Sequence, residues 1–150
     1  MRTMLDQIGI RRLLPLREPA LHVDRVVELD DEHIVAEKAV SVAEACYPLP
    51  SPDDYSYPFA LVLESIAQSA LIHIAFHNPP VSDAVPLIAS ITGGRELSSA
   101  MPGDVIRHTV RRVAQLESAA VFRCQSWAGN EQVAHVQRLV VSFASAGRFR

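Results

Sequence analysis

The sequence predicts a single α+β domain in which about six strands surround one long helix. An apolar segment near residues 58–77 has the length of a buried helix, and strand-like alternation precedes and follows it. No repeat, linker or low-complexity tract divides the 150 residues. A chain of this length can bury a substantial core, so we expect one domain over residues 1–150.

The first third of the chain predicts a short helix followed by a hairpin. Residues 5–14 fit a helix that ends before Pro15. Residues 21–29 and 34–42 alternate between apolar and polar side chains, with an acidic turn between them. The segment 47–58 contains four prolines and therefore predicts a loop.

The central helix follows this loop, with Pro58 in its first turn, where the missing N–H costs nothing. The apolar run continues to Phe76, about the length of a membrane span. Five residues argue against a membrane location: Glu64, Ser65, Gln68, Ser69 and His73. We therefore expect the core helix of a soluble protein, covered on most sides by a sheet.

The last third predicts four strands. Residues 87–97 form the first, with a bulge or kink expected at Gly93-Gly94. The turn Met101-Pro102-Gly103-Asp104 then precedes strands over 105–113, 119–127 and 133–144.

Composition narrows the functional classes. Hydrophobic residues make up 49% of the chain, which argues against disorder. The net charge of −3 provides no general electrostatic surface for nucleic acid. Cys46 and Cys124 are too few for a disulfide framework or a zinc site, and the first residues lack the apolar stretch of a secretory signal. We expect a cytoplasmic protein with no metal, no other cofactor and no membrane partner.

Glu64 is the principal candidate site residue. A carboxylate is costly to bury in an apolar helix unless it is paired or used. Gln68 lies four residues further on and therefore shares its helix face. Glu64 is interpreted either as a catalytic residue or as a buried structural carboxylate, and the residues alone leave both open.

Two segments carry a resemblance to a known family. Leu14-Pro15-x-Arg17-x-Pro19-x-Leu21-x-Val23-Asp24-Arg25-Val26-x-Glu28, followed without a gap by Glu44, Pro52, Pro58, Glu64, Ala67 and Gln68, resembles the bacterial 3-hydroxyacyl-[acyl-carrier-protein] dehydratases. Met101-Pro102-Gly103-Asp104 is similar to a turn found in many proteins of this fold.

The resemblance implies the hotdog fold, an antiparallel sheet wrapped around a long central helix. It also implies an acyl carrier protein or coenzyme A thioester as the substrate and a site at a dimer interface. The partner is a second copy, in a homodimer or higher oligomer, or a catalytic paralogue in a heterodimer. In this family the acidic residue on the helix, here Glu64, serves the departing hydroxyl.

The chain departs from the family where the family places its catalytic histidine, fourteen positions before the helix glutamate. Position 50 is Pro50, and no histidine lies between His33 and His73. Eliminating water needs a base for the proton next to the thioester carbonyl, and such a group contributes about 10²–10⁴-fold. The sequence therefore predicts slow or absent dehydration by the isolated protein.

An acyl-binding groove is expected beside Glu64, because apolar walls with a few polar groups suit an acyl chain. Its predicted substrate-binding residues surround the first half of the helix: Tyr57, Pro58, Phe59, Leu63, Ala67 and Gln68. Phe59 stands where the family has glycine, which narrows the approach to the helix N-terminus.

The remaining candidates favour structural interpretations. The histidines are expected to be surface, packed or sheet-face residues: His22, His33, His73, His77, His108 and His135. Cys46 is interpreted as a small core residue, and Asp53 and Asp54 as part of a solvated turn. By sequence, none of these replaces the missing base.

Three functions remain open. The first is a dehydratase, or another acyl-thioester enzyme, with an unconventional base. The second is a non-catalytic acyl-binding or heterodimer partner subunit. The third is a hotdog thioesterase in which a helix carboxylate activates water. We favour a 3-hydroxyacyl-[acyl-carrier-protein] dehydratase-like protein of fatty acid or polyketide metabolism, with impaired standard activity because of Pro50.

Overall fold

The structure is a computed structural model that describes residues 2–47, 53–78 and 84–145. Over these residues a seven-stranded antiparallel sheet has the order β1-β2-β3-β5-β6-β7-β4. The elements are β1 Thr3–Leu5, α1 Gln7–Leu13, β2 Arg25–Leu29, β3 His33–Ala39, α2 Phe59–His77, β4 Ala84–Glu96, β5 Val105–Gln115, β6 Ala119–Ala128 and β7 Glu131–Ser145. The predicted α+β architecture is confirmed.

Helix α2 is the central helix that the sequence predicts, and Pro58 is its N-cap residue. It contacts strands β3, β4, β5 and β7. Most of its middle is buried: Val62, Ser65, Ile66, Ala67, Gln68, Ser69, Ala70, Ile72, His73 and Ile74. Ala60, Glu64 and Phe76 remain exposed, so the protomer leaves part of the helix surface open.

The facing strands alternate as a half-buried sheet requires. On β5, Ile106, His108 and Val110 are buried, whereas Arg107 and Arg111 are exposed. The buried side chains face the same core as α2. The polar position His108 is therefore at the centre of the domain.

The predicted first strand is too long at its start. Strand β2 begins at Arg25, and residues 21–24 are outside it. The backbone N–H of His22 donates to Gln68 at 2.7 Å, and its carbonyl accepts from Ser65 at 2.6 Å. Side chains of α2 therefore replace the strand ladder at this point, which sequence alternation does not reveal.

Other features of the fold also differ from prediction. The first helix spans only Gln7–Leu13, and β1 precedes it as an additional short strand. The bulge in β4 falls between Ile88 and Ser90, where the register with β7 shifts. Gly93 instead adopts φ +64, and an added Cβ there would lie 2.7 Å from Gln137 atoms, so glycine suits this close approach.

Strand β4 forms one edge of the sheet. It pairs with β7 along one edge and has no other strand partner in the described part of the chain. Four of its large apolar side chains are nevertheless exposed: Val85, Leu87, Ile88 and Ile91. An apolar edge strand of this kind is suited to pairing with another chain.

Helix α2 is also long and apolar enough by composition to cross a membrane. More than half of the relevant window is buried inside the domain, as in the core helix of a soluble protein. Length and composition alone are therefore weak support for a membrane span.

Candidate functional site

Glu64 lies on the face of α2 that meets the chain segment 18–24. Its side chain is exposed in the protomer, and its Oε1 accepts a hydrogen bond from Gln68 Nε2 at 2.9 Å. Glu64 is therefore not a carboxylate buried in the protomer core. The catalytic role of Glu64 remains a prediction.

Gln68 connects Glu64 to the segment 18–24. Its amide is fully buried and donates to Ala20 O at 2.7 Å, while its Oε1 accepts from the His22 N–H at 2.7 Å. With the bond to Glu64, both amide protons and the carbonyl are engaged. The amide fixes the backbone at His22 relative to the helix.

A cavity of about 750 Å³ opens beside this junction. Its described lining comes from α1, the segment 18–24, β3, the turn after β3 and α2. The lining residues are Gln7, Glu18, Pro19, Leu21, His22, Val23, Asp24, Lys38, Ala43, Glu44, Ala45, Cys46 and Leu61. Apolar walls with a few ionisable groups are typical of a small-molecule site.

The polar groups of the cavity form a connected cluster around His22. His22 Nδ1 lies 3.4 Å from the Tyr57 hydroxyl, which lies 3.3 Å from Glu44 Oε1. Lys38 Nζ forms an ion pair with the same Glu44 oxygen at 2.8 Å. When Tyr57 donates to the Glu44 carboxylate, its oxygen is left to accept from Nδ1–H of His22, and the lone pair is then on Nε2.

Burial lowers the pKa of His22 below its ordinary value, and the nearby Lys38 ammonium acts in the same direction. Glu44, Glu64 and Asp24 raise it, but the net direction is downward. The imidazole is therefore mainly neutral at pH 7 and able to accept a proton. Burial and Glu44 raise the pKa of Tyr57, which keeps its hydroxyl protonated.

A second histidine, which also contacts Ser65 of α2, is fully enclosed. His108 Nε2 lies 2.8 Å from Ser65 Oγ, and His108 Nδ1 lies 2.6 Å from Ser126 Oγ. Burial lowers the pKa of His108 to about 3. Both ring nitrogens have partners, so this imidazole is a neutral structural group of the core.

The predicted substrate-binding residues lie around the N-terminal half of α2. Tyr57 and Ala67 are buried, while Phe59 and Leu63 are partly buried and pack against the core. Neither these residues nor Glu64 is among the described residues that line the cavity, to which α2 contributes Leu61. The acyl-binding roles of Tyr57, Pro58, Phe59, Leu63, Ala67 and Gln68 remain predictions. Pro50, which carries the predicted loss of the base, lies outside the described residues.

The two histidines of α2 itself have structural contacts. His73 Nε2 and His77 Nε2 both bond to the carbonyl oxygen of Asp30, at 3.0 Å and 2.9 Å. Near them, Glu28, Asp30 and His33 lie close enough to resemble a metal site. His33 already pairs with both carboxylates, at 2.7 Å and 2.9 Å, so mutual pairing accounts for this cluster.

His22 is the residue that sequence interpretation missed. Alternation across residues 21–29 placed it on the surface of a strand, whereas it lines the cavity. The available sequence signal was a histidine within the family-like segment Pro19 to Glu28, at a position the motif itself left unassigned.

Comparisons with known proteins agree with the sequence resemblance. Residues 8–147 match the family model described as ApeP-like, ApeP dehydratase. The 3-hydroxyacyl-[acyl-carrier-protein] dehydratase FabZ of Symbiobacterium thermophilum is 32% identical over 120 residues, covering 79% of this chain and 84% of that protein. FabZ of Teredinibacter turnerae is 33% identical over 134 residues, covering 87% and 91%.

Solved structures confirm the hotdog fold. The dehydratase heterocomplex ApeI:P from Xenorhabdus doucetiae has a TM-score of 0.79 at 17% identity, covering 93% of both chains. The fluoroacetyl-CoA-specific thioesterase FlK has a TM-score of 0.65 at 10% identity, covering 79% of this chain and 97% of that one. With relatives above 30% identity and a family model spanning most of its length, the chain belongs to the ApeP-like dehydratases and is a 3-hydroxyacyl-[acyl-carrier-protein] dehydratase-like protein with the hotdog fold.

Proposed function

We propose that this protein binds acyl thioesters of fatty acid or polyketide metabolism, carried by an acyl carrier protein or coenzyme A, beside Glu64. The observation that carries the proposal is the placement of Glu64. It occupies the family's acidic position, its carboxylate is exposed, and Gln68 joins it by hydrogen bonds to the segment that lines the cavity. Apolar walls with a few polar groups suit an acyl chain with a polar reacting end.

Standard dehydration by the isolated protein is reduced, because Pro50 cannot act as a base. In the family mechanism the base removes a proton next to the carbonyl, and the helix carboxyl serves the leaving hydroxyl. This chain retains the second group. We expect turnover of 3-hydroxyacyl thioesters well below the roughly 1–10³ s⁻¹ of ordinary enzymes.

Calorimetric titration with an acyl-pantetheine tests the proposal. Glu64→Gln should weaken binding or residual activity while leaving the melting temperature nearly unchanged, because Glu64 is exposed. Exposed Glu131→Gln on β7 serves as the matched control and should alter neither quantity. Unchanged ligand binding by Glu64→Gln would remove Glu64 from the proposed site.

A partner subunit is the second part of the proposal. The unpaired edge of β4, with Leu87, Ile88 and Ile91 exposed, fits edge-to-edge pairing with another hotdog chain. The partner is a second copy or a catalytic paralogue that contributes a histidine. The family description ApeP-like and the fold shared with a dehydratase heterocomplex support the paralogue as an alternative to the homodimer.

Light scattering at micromolar concentration tests this edge. We expect at least a dimeric mass for the wild type and a smaller mass for Ile91→Lys. Val113→Lys, at an exposed apolar position on β5, is the matched control and should keep the wild-type mass. A monomeric wild type would contradict homo-oligomerisation, and copurification with a coexpressed paralogue would then distinguish the heterodimer.

The same proposal places one soluble domain over residues 1–150 in the cytoplasm.

A further inference from the structure

We propose that His22 is a catalytic residue of this chain and accepts the proton next to the thioester carbonyl, in place of the loop histidine of the family. This inference rests on the proposed function, because it concerns the same acyl-thioester site. It assigns the residual activity of the isolated protein to an imidazole on a different chain segment.

The first support is the position of the imidazole. His22 lines the cavity of about 750 Å³, and its ring is only partly buried. The histidine is held at both backbone groups, by Gln68 at its N–H and by Ser65 at its carbonyl. Ser65 directly follows Glu64 on α2, and the Gln68 amide that holds His22 also donates to Glu64, so His22 is held beside the helix turn that carries Glu64.

The second support is the arrangement of ring nitrogens. Tyr57 lies 3.4 Å from Nδ1 and bonds in turn to Glu44. Nε2 has no hydrogen-bond partner within residues 2–47, 53–78 and 84–145. One nitrogen is thus oriented by a hydroxyl and a carboxylate while the other is available, which is the geometry of a general base.

The third support is the charge around the ring. The cavity and its surroundings contain both cationic and anionic groups, and their net effect with burial keeps the imidazole neutral near pH 7. The titratable groups that face this region are Glu18 and Asp24 beside His22, Lys38 on β3, Glu44 and Cys46 after β3, Tyr57 before α2 and Glu64 on α2.

The step balances without an added reactant. The C–H bond next to the thioester carbonyl breaks, its proton goes to Nε2 of His22, and its electron pair forms the new carbon–carbon double bond. The C–O bond at the neighbouring carbon breaks, and the hydroxyl leaves as water with the proton that the Glu64 carboxylate relays from the His22 imidazolium. Both side chains thereby return to their starting forms, and hydration of the enoyl thioester is the reverse sequence.

Hydration of crotonyl-pantetheine by the full chain tests the proposal. The reaction is monitored as the loss of absorbance of the enoyl thioester. We expect slow wild-type hydration above the buffer rate and a fall of about 10²–10⁴-fold in His22→Ala. Imidazole added to the solution should restore part of the rate, because the substitution opens space in a solvent-connected cavity. The matched control is His135→Ala, a partly exposed β7 histidine, which should retain the wild-type rate.

The pH profile separates catalysis from a structural role. The wild-type rate should fall at acid pH as His22 is protonated, and this acid limb should be lost in His22→Ala. Calorimetry of butyryl-pantetheine binding provides the independent measurement of the proposed function. We expect its affinity to change less than about threefold in His22→Ala, since the base acts mainly in the chemical step.

Each outcome has a consequence. Intact acyl-pantetheine binding with no wild-type hydration above the buffer rate overturns the catalytic role of His22 and leaves the binding function standing. Equal hydration by wild type and His22→Ala also overturns it. Absence of acyl-pantetheine binding in the wild type contradicts the proposed function, and the His22 assignment is withdrawn with it.

Discussion

Two histidines lie on either side of the polar face of α2, and they differ in what surrounds them. His108 is fully buried, with both ring nitrogens within 2.8 Å of serine oxygens. His22 lines a cavity, and its Nδ1 lies 3.4 Å from the Tyr57 hydroxyl. Ser65 joins the two regions by bonding to the His108 ring and to the His22 carbonyl.

The comparison separates a histidine that stabilises the fold from one that is available for chemistry. A buried imidazole with two satisfied nitrogens has no proton to exchange without losing a core hydrogen bond. Replacing an imidazole that has an available nitrogen and a fixed backbone should change the free energy of unfolding little and the hydration rate strongly. Four measurements test this contrast, beginning with the variant that should lose the most stability.

The largest effect is expected for His108→Ala. The change creates a cavity and leaves Ser65 and Ser126 without their shared partner, so the free energy of unfolding should fall by about 3–5 kcal/mol. Urea denaturation followed by the fluorescence of the single tryptophan, Trp127, measures it. His22→Ala should cost less than about 1 kcal/mol in the same assay. Equal losses for the two variants would abolish the contrast.

Acid should destabilise the domain through its buried neutral histidines. Burial lowers the pKa of His108 to about 3, and burial together with His77 lowers that of His73 to about 4. The unfolded chain therefore binds more protons between about pH 6.5 and these values, and stability is lost as the pH falls through this window.

The expected loss at pH 5 is about 2 kcal/mol for each of these histidines, relative to pH 8. Urea denaturation at both pH values checks it. The pH dependence should be smaller in His108→Ala than in the wild type, because one of the two neutral imidazoles is absent. A free energy of unfolding that stays constant from pH 8 to pH 5 would contradict the burial argument.

An intermediate effect is expected for Gln68→Leu. The substitution removes the amide that joins Ala20, His22 and Glu64, yet water can reach the segment side of this junction. The free energy of unfolding should fall by about 1–2 kcal/mol. Hydration of crotonyl-pantetheine should fall more than stability predicts, because His22 and Glu64 lose their common support. Gln125→Leu, at an exposed position of β6, is the control for both measurements.

The smallest stability effect is expected for Tyr57→Phe. The hydroxyl contacts are 3.3 Å and 3.4 Å long, so their loss should change the free energy of unfolding by less than about 1 kcal/mol. Hydration should still fall several-fold, because Nδ1 of His22 loses its orienting partner. Tyr55→Phe, at an exposed tyrosine, should change neither quantity. A hydration rate unaffected by Tyr57→Phe would show that the hydroxyl does not orient His22.

Sequence patterns predicted the elements whose periodicity is strong. The central helix near residues 58–77 is confirmed as Phe59–His77, and the three strands after Gly103 are confirmed within a few residues. The start of the first hairpin was predicted less well. There, side chains of α2 take the hydrogen bonds that a strand ladder would otherwise take, and local alternation carries no information about this exchange.

The candidate site was predicted only in part. Glu64 was identified because a carboxylate in an apolar helix demands an explanation, and Gln68 because four residues separate it from Glu64. His22 was assigned to the surface, since its contact with Gln68 spans 46 residues of sequence. Such a pairing depends on how the segment 18–24 packs against the helix.

The sequence predicted a single domain. It was sufficient to identify the buried central helix, the strands on both sides and the family, because apolar periodicity and local motifs report short-range burial. It also determined that no histidine occupies position 50. The exposure of Glu64 in the protomer, the enclosure of His108 by serines and the position of His22 in a cavity wall became evident only from the structure. These properties depend on contacts between segments far apart in the chain, and the packing of the sheet around the helix creates them.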